Sequence, residues 1–222
     1  MATKIKIHPV TPHQKRIFEV SDYLHQGAVI LFPTDSQYAL GCVFDNKKGV
    51  DRIRQIRQLK EDHLMTLICD SLSGISKFAI VSDDNFKIIK RLIPGPYTFV
   101  LPATKAVPRL LQHPKRKTIG VRVPDYPICQ KLVAELGDPL LSTTAKSPDL
   151  NEQNELYLDR DELFTFMDKQ VDYIIDDEQN LTKQQTSIID MTNDHAIILR
   201  RGLGLSKLED VFSQYDKQLV EV

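Results

Sequence analysis

Apolar and polar positions follow two different periods along this chain, which predicts strands and helices in turn. Residues 4–7 alternate polar and apolar and are followed by a His-Pro pair, which predicts a short strand at a sheet edge. Residues 28–32 are wholly apolar, as in a strand covered on both faces. Between them, a helical period predicts a helix with Thr11 as its N-cap and Gly27 as its stop.

The same reasoning predicts the other elements. Further helices are expected over residues 46 to 59 or 60, 82–93, 127–136 and 206–215, and further strands over 64–69, 97–101, 118–123, 140–144, 173–176, 187–190 and 196–200. No internal repeat and no linker rich in Gly, Pro or Ser divides the chain. The sequence therefore predicts one α/β domain over residues 1–222, and the late strand cluster predicts a mixed sheet.

Composition narrows the class of protein. The chain has 222 residues, of which 41% are hydrophobic and 27% charged, which excludes a disordered or low-complexity class. Its net charge of −1 excludes a protein that binds phosphate by bulk charge, although a local basic patch stays open. No apolar run reaches the roughly 18 residues of a membrane span. Three scattered cysteines indicate reduced thiols, so we expect a cytoplasmic protein without a membrane partner.

The common catalytic motifs are absent. The sequence contains no phosphate-binding loop of the GxxxxGK[ST] type and no GxGxxG after a strand. Its six histidines show no ligand spacing, so we expect no metal held by protein side chains alone.

Three local arrangements point to a ligand, and each has a structural alternative. Residues 32–41 (FPTDSQYALG) lead from a buried strand into hydroxyl, carboxylate and phenol groups. Strand ends of this kind bind ligands in α/β sheets. The alternative is a capped turn, with Thr34 or Asp35 as the cap.

The second arrangement is a pair of cations, Arg57 and Lys60, on the apolar side of the helix that begins near residue 46. Buried cations need buried acids or an anionic ligand; the alternative is that both side chains snorkel into water. The third is Arg122, which shares one strand face with Gly120. This pair indicates close approach of a charged ligand. The alternative is an edge strand with a solvated arginine.

Together these segments resemble the YrdC/YciO family, and more closely its YciO-like branch. The matching stretches are residues 32–41, 53–60 (IRQIRQLK), 94–99, 115–124 (KRKTIGVRVP) and 139–144, extended by 187–190 and 199–202. The match covers about residues 4–204, which leaves a helical tail at 205–222.

The resemblance implies a twisted, open, mixed sheet flanked by helices, with a basic concave surface. It also implies a synthase that makes threonylcarbamoyl-adenylate from L-threonine, bicarbonate and ATP, with Mg²⁺ accompanying ATP. The product serves the threonylcarbamoyladenosine modification of tRNA. The alternative is a non-catalytic protein that binds double-stranded RNA, tRNA or a nucleotide.

Site residues follow from the same match. The residues expected to be catalytic are Lys60, Arg122 and Thr144. Those expected to bind substrate and nucleotide are Thr34, Tyr38, Arg57, Ser142, Lys146 and Arg200. Those expected to contact RNA are Arg54, Lys115, Arg116 and Lys117.

The chain departs from the synthases at three positions. Asp62 stands where the synthases carry an arginine two residues after the lysine, and Lys146 stands where they carry an asparagine. Ala39 replaces a glycine. Because a carboxylate reverses the local charge, these departures predict reduced synthase activity. The polar segment 146–154 is expected to form a loop that covers the ligand.

Overall fold

The computed structural model describes residues 1–60, 62–146, 159–180, 184–215 and 217–221. In chain order its elements are β1 (Thr3–Lys6), α1 (Gln14–His25), β2 (Ile30–Phe32), β3 (Ala39–Val43), α2 (Lys47–Arg57), β4 (Thr66–Ile68), α3 (Leu72–Phe78), α4 (Asp83–Leu92), β5 (Tyr97–Pro102), β6 (Thr118–Arg122), α5 (Pro127–Leu136), β7 (Leu140–Thr144), α6 (Arg160–Met167), β8 (Tyr173–Asp176), β9 (Ser187–Asp190), β10 (Ala196–Arg200), α7 (Leu205–Gln214) and β11 (Leu219–Glu221).

The elements group into two compact units. Unit 1 contains residues 1–60 and 126–183, and unit 2 contains residues 61–125 and 184–222. That the whole chain is a single domain stays a prediction.

Unit 1 has a sheet in the order β1-β8-β2-β3-β7. Strands β1, β8 and β2 are parallel, whereas β3 runs antiparallel to both β2 and β7. The carboxyl ends of β8, β2 and β7 therefore share one edge with the start of β3. Ligands of α/β proteins bind at edges of this kind, so we call it the ligand edge.

The apolar pattern accounts for the core of unit 1. All three residues of β2 are fully buried, as the unbroken apolar run predicts. Helix α1 turns Ile17, Val20 and Leu24 inward and packs against α5. Strand β1 pairs only with β8 among the described residues, which confirms its place at an edge.

Unit 2 has a sheet in the order β4-β6-β5-β9-β10-β11. The pairs β4–β6, β5–β9 and β10–β11 are parallel, and β6–β5 and β9–β10 are antiparallel. The predicted mixture of strand directions is confirmed.

The predicted start of α1 is wrong. Its N-cap is His13, not Thr11, and the helix begins at Gln14. The reason is local: the backbone N–H and the hydroxyl of Thr11 both lie 3.1 Å from Nδ1 of His8. These contacts hold Thr11 in the preceding turn.

Four short elements escaped the sequence reasoning: α3, α6, β3 and β11. Two of them carry recognisable caps, because the Ser71 hydroxyl accepts the Gly74 N–H and Asp159 and Glu162 form a capping box. The tail at 205–222 is helical only as far as Gln214, since β11 then pairs with β10.

Candidate functional site

The ligand edge of unit 1 brings together two segments that are distant in sequence. Ala39, at the start of β3, lies opposite Thr144, at the end of β7, and Gly41 lies opposite Ser142. Just beyond this pairing, the Ala145 N–H donates to the Tyr38 carbonyl at 2.9 Å. The predicted residues of the 33–38 loop and those of β7 therefore share one edge.

Thr34 stabilises its own loop. Its hydroxyl donates to the Gln37 carbonyl at 2.7 Å and accepts the Ser36 N–H at 3.2 Å, and the residue is buried. These bonds agree with the capped-turn alternative. A contact between Thr34 and a ligand stays a prediction.

Arg57 is a cation that forms no ion pair with any carboxylate in the described ranges. Its Nη1 donates to the Lys146 carbonyl at 2.9 Å, and its Nε is buried with no hydrogen-bond partner in the described part of the chain. No described carboxylate forms an ion pair with it, and burial lowers the pKa of its guanidinium. A half-buried guanidinium in this state, at the end of β7, is suited to an anionic ligand.

The α2 helix ends at Arg57, which changes the expectation for Lys60. Asn46 caps the start of α2 as predicted, and Gln58, at a φ of 49°, ends it. The helical period therefore does not extend to Lys60, which is exposed. Its predicted place on the inward side of the helix is wrong, while its catalytic role stays a prediction.

Tyr38 is buried and bonded to an acid that the sequence reasoning missed. Its hydroxyl donates to Oδ1 of Asp177 at 2.7 Å, and the hydroxyl of Tyr126 donates to Oδ2 of the same carboxylate. Burial, followed by these bonds, raises the pKa of both tyrosines. A carboxylate directly after a buried strand is the signal that could have identified Asp177, because the same rule selected the 33–38 loop.

In unit 2, Arg122 lies on β6, between β4 and β5. It is 8% exposed, which contradicts the alternative of a solvated arginine on an edge strand. The neighbouring Gly120 has a reason of its own: a Cβ there would lie 2.9 Å from the Thr66 hydroxyl and 3.0 Å from the Met65 carbonyl. Strand packing thus explains the glycine without a ligand.

Arg200 lies on the same face of this sheet as Arg122. The register that pairs Phe99 with Val121 places Thr98 opposite Arg122, and Ile188 pairs with both Thr98 and Arg200. These four residues lie in one row across neighbouring strands, so the backbones of Arg122 and Arg200 are separated by three strand spacings, or about 14 Å. Arg200 also donates to the Thr186 carbonyl and hydroxyl at 2.9 and 2.7 Å.

The residues predicted to contact RNA differ in their surroundings. Arg54 donates to the Lys60 carbonyl at 3.1 Å, in unit 1. In unit 2, Arg116 forms an ion pair of 2.9 Å with the buried Asp190, and Lys117 donates to a backbone carbonyl. Lys115 is exposed. The charge of Arg116 is therefore already balanced.

Three further expectations concern membrane spans, metal ligands and a covering loop. Within the described residues no helix is long and apolar enough to cross a membrane, and no three His, Cys, Asp or Glu side chains cluster as metal ligands would. The predicted covering loop at 146–154 lies outside the described residues apart from Lys146.

Comparison with known proteins gives the family. Residues 22–202 match the Sua5/YciO/YrdC family model, described as "Telomere recombination". Protein YciO of Escherichia coli K12 is 43% identical over 198 residues, which is 89% of this chain and 94% of that protein. A threonylcarbamoyl-AMP synthase of Vibrio vulnificus is 35% identical over 130 residues, or 57% of this chain and 69% of the synthase. The chain belongs to the Sua5/YciO/YrdC family.

Solved structures agree with this assignment. The crystal structure of E. coli YciO aligns with a TM-score of 0.86 at 41% identity, over 94% of this chain and 99% of that one. P. abyssi Sua5, complexed with L-threonine, aligns with a TM-score of 0.81 at 22% identity, over 99% of this chain and 62% of that one. The predicted fold class, an α/β fold with a twisted open sheet, is confirmed. The basic concave surface stays a prediction.

Proposed function

We propose that this protein is a slow threonylcarbamoyl-adenylate synthase, which joins L-threonine, bicarbonate and ATP. The observation that carries the proposal is the half-buried guanidinium of Arg57 at the ligand edge of unit 1, which forms no ion pair with a described carboxylate. The name of the Vibrio relative, a threonylcarbamoyl-AMP synthase, supports this product, and the L-threonine bound to P. abyssi Sua5 supports the amino acid substrate.

The reaction needs no covalent enzyme intermediate. The threonine nitrogen forms a bond to the carbon of bicarbonate, and water leaves, which gives a carbamate. A carbamate oxygen then attacks the α-phosphorus of ATP, the bond to the β-phosphate breaks, and pyrophosphate leaves. Positioning and charge stabilisation supply the rate enhancement in reactions of this type.

Unit 1 offers groups for an amino acid and its activated form. We assign L-threonine to the 33–38 loop, where Thr34 and Tyr38 lie, with Arg57 as the partner of an anionic group. Ser142, Thr144 and Lys146 follow on β7 and beyond it, at the same edge. Lys60 is exposed, so it serves the reaction only from the rim of this edge.

Unit 2 offers a separate surface for phosphates. We assign the phosphates of ATP to Arg122 and Arg200, whose backbones are about 14 Å apart along one face of the sheet. A polyphosphate such as that of ATP is long enough to approach both cations.

Magnesium enters as part of the MgATP substrate. The described residues contain no cluster of three acidic or other ligating side chains. Both carboxylate oxygens of Asp177 already accept phenol protons. We therefore assign no resident metal to the described residues, and the chemistry of the ion is neutralisation of the phosphates.

The departures from the synthases set the expected rate. Because Asp62 stands in place of an arginine, the chain lacks a guanidinium that would stabilise the negative charge of the transition state. The loss of one such donor costs about 3 kcal/mol, or ~10²-fold in rate. Lys146 replaces an amide at the ligand edge of unit 1. Activity well below that of a synthase with both groups is the result.

A pyrophosphate-release assay tests the proposal. Purified protein should release pyrophosphate from MgATP only when L-threonine and bicarbonate are both present, and omission of either should stop it. Release that is independent of threonine would indicate an ATPase and would contradict the proposal.

The second candidate is a protein that binds RNA or a nucleotide without chemistry. It is favoured by Lys115 and Lys117, which are exposed and form no ion pair with a described carboxylate. Such binding would fall steeply with salt. Salt-sensitive tRNA binding in a protein that releases no pyrophosphate would support this candidate instead.

A further inference from the structure

Asp177 is a buried carboxylate that forms no ion pair within the described part of the chain. It is 4% exposed, and no described Lys, Arg or His forms an ion pair with it. The neighbouring Asp176 takes the nearby guanidinium of Arg160. Asp177 is stabilised instead by the hydroxyls of Tyr38 and Tyr126 and by a backbone N–H at 3.2 Å. A buried charge is costly, so hydrogen bonds of this number are needed to retain it.

The carboxylate ties together three chain segments at the ligand edge. Asp177 directly follows β8, Tyr38 directly precedes β3, and Tyr126 directly precedes α5. The Tyr38 ring also packs edge-on against Phe164, with 5.4 Å between ring centroids. Tyr38 is therefore held from two sides, by Asp177 through its hydroxyl and by Phe164 through its ring.

The hydrogen of the Tyr38 phenol already has an acceptor. It is donated to Asp177, and the Asp177 N–H approaches the same oxygen at 3.4 Å. The backbone of Tyr38, in contrast, faces the site, because its carbonyl accepts the Ala145 N–H just beyond Thr144. Tyr38 thus acts on a ligand through the shape of the 33–38 loop and less through its hydroxyl.

We propose that Asp177 is a positioning residue, which holds Tyr38 and thereby fixes the 33–38 loop in the geometry that receives the amino acid substrate. The proposal rests on the proposed function for the identity of that substrate. It makes a structural claim that holds without any ligand: when the Asp177–Tyr38 bond is removed, the loop and its bond to Ala145 open more often.

Two variants test this claim, and a third is a matched control. Asp177→Asn removes the charge, and Tyr38→Phe removes only the hydroxyl that reaches it. Tyr126→Phe removes the same type of bond from the same carboxylate, but on the α5 side. The first readout is native-state hydrogen exchange at the Ala145 amide, relative to amides of α5. The second is the Kd of L-threonine from calorimetry.

We expect Asp177→Asn and Tyr38→Phe each to accelerate exchange at Ala145 by about tenfold and to raise the threonine Kd by about tenfold. A tenfold change corresponds to ~1.4 kcal/mol. The double variant should add little to either single variant, because both act through one bond. Tyr126→Phe should change both readouts by less than about twofold, while it lowers Tm.

Unchanged exchange at Ala145 in Tyr38→Phe would overturn the proposal, and so would additive effects in the double variant. If Asp177→Asn does not fold, Tyr38→Phe alone decides, because the loss of one hydroxyl is a milder change. A wild-type protein that binds no threonine would refute the proposed function. The exchange comparison would then still decide whether Asp177 positions the loop.

Discussion

Replacement of Arg57 by methionine separates binding from stability. Methionine retains an unbranched apolar stem of similar length but removes the guanidinium. If Arg57 is present for an anionic ligand, its loss should abolish ligand binding at little cost to the fold. A cation that served the fold itself would show the opposite behaviour.

The magnitudes follow from the surroundings of Arg57. The charged bond to the Lys146 carbonyl, at 2.9 Å, contributes about 1.5–3 kcal/mol. Against this, a half-buried guanidinium without a counter-charge carries a desolvation cost of roughly 2–3 kcal/mol. The two nearly cancel, so the free energy of unfolding should change by about 1 kcal/mol or less. For a chain of this size, that is a Tm shift within about 4 °C.

Ligand binding should change far more. A guanidinium that pairs with a carboxylate or phosphate contributes about 3 kcal/mol, so we expect a ~10²-fold weaker Kd for the ligand it contacts. The assay is calorimetry with L-threonine and with MgATP, beside thermal unfolding with and without each ligand. Lys48→Met is the matched control, since it removes one cation from an exposed position of the same helix.

Two results would refute this reasoning. A loss of several kcal/mol of stability in Arg57→Met, with unchanged Kd values, would show that the guanidinium stabilises the fold. Equal loss of binding in Lys48→Met would show that net charge, and no specific contact, governs affinity.

Three further predictions concern other parts of the chain. Because the pKa values of Tyr38 and Tyr126 are raised by folding, their stabilising effect is present below pH 10 and lost above it. Denaturant unfolding from pH 9 to 11 should lose about 1.4 kcal/mol in total for each tyrosine, most of it above pH 10. The double Phe variant should show a flatter profile, and equal profiles would contradict this. The double variant Asp62→Arg, Lys146→Asn should release pyrophosphate about tenfold faster than wild type, which corresponds to a barrier lower by ~1.4 kcal/mol. An unchanged rate would show that these two residues do not limit the reaction. Arg116→Ala should lower the free energy of unfolding by about 1 kcal/mol in urea titrations, because it removes the cation that pairs with the buried Asp190. An unchanged free energy of unfolding would show that this ion pair does not stabilise the fold.

Much of the fold could be predicted because the strong patterns are local. Five elements have the predicted bounds, namely those at residues 127–136, 140–144, 173–176, 187–190 and 196–200. Short elements such as α3 were missed because seven residues carry too little periodicity, and only a serine cap marks the start. The start of α1 was wrong because a side-chain bond from His8 competes with the expected cap.

The candidate site could be predicted only in part, for a related reason. Strand ends and family motifs mark five residues that the structure places at the ligand edge, and their roles stay predictions: Thr34, Tyr38, Ser142, Thr144 and Lys146. The strand-end rule could have selected Asp177 as a polar residue, but its bonds could not be predicted, because Tyr38 and Tyr126 are 139 and 51 residues away. Lys60 was misplaced because a helical period was continued past a residue with a left-handed backbone.

We propose that this chain joins threonine, bicarbonate and the adenylyl group of ATP. The most direct measurement is mass spectrometry of a reaction that contains ¹³C-bicarbonate, L-threonine and MgATP. The account predicts one adenylate that contains both the ¹³C atom and threonine, formed slowly by the wild type and far more slowly by Arg57→Met. A wild-type reaction in which ATP and threonine stay intact and no labelled adenylate forms would contradict it.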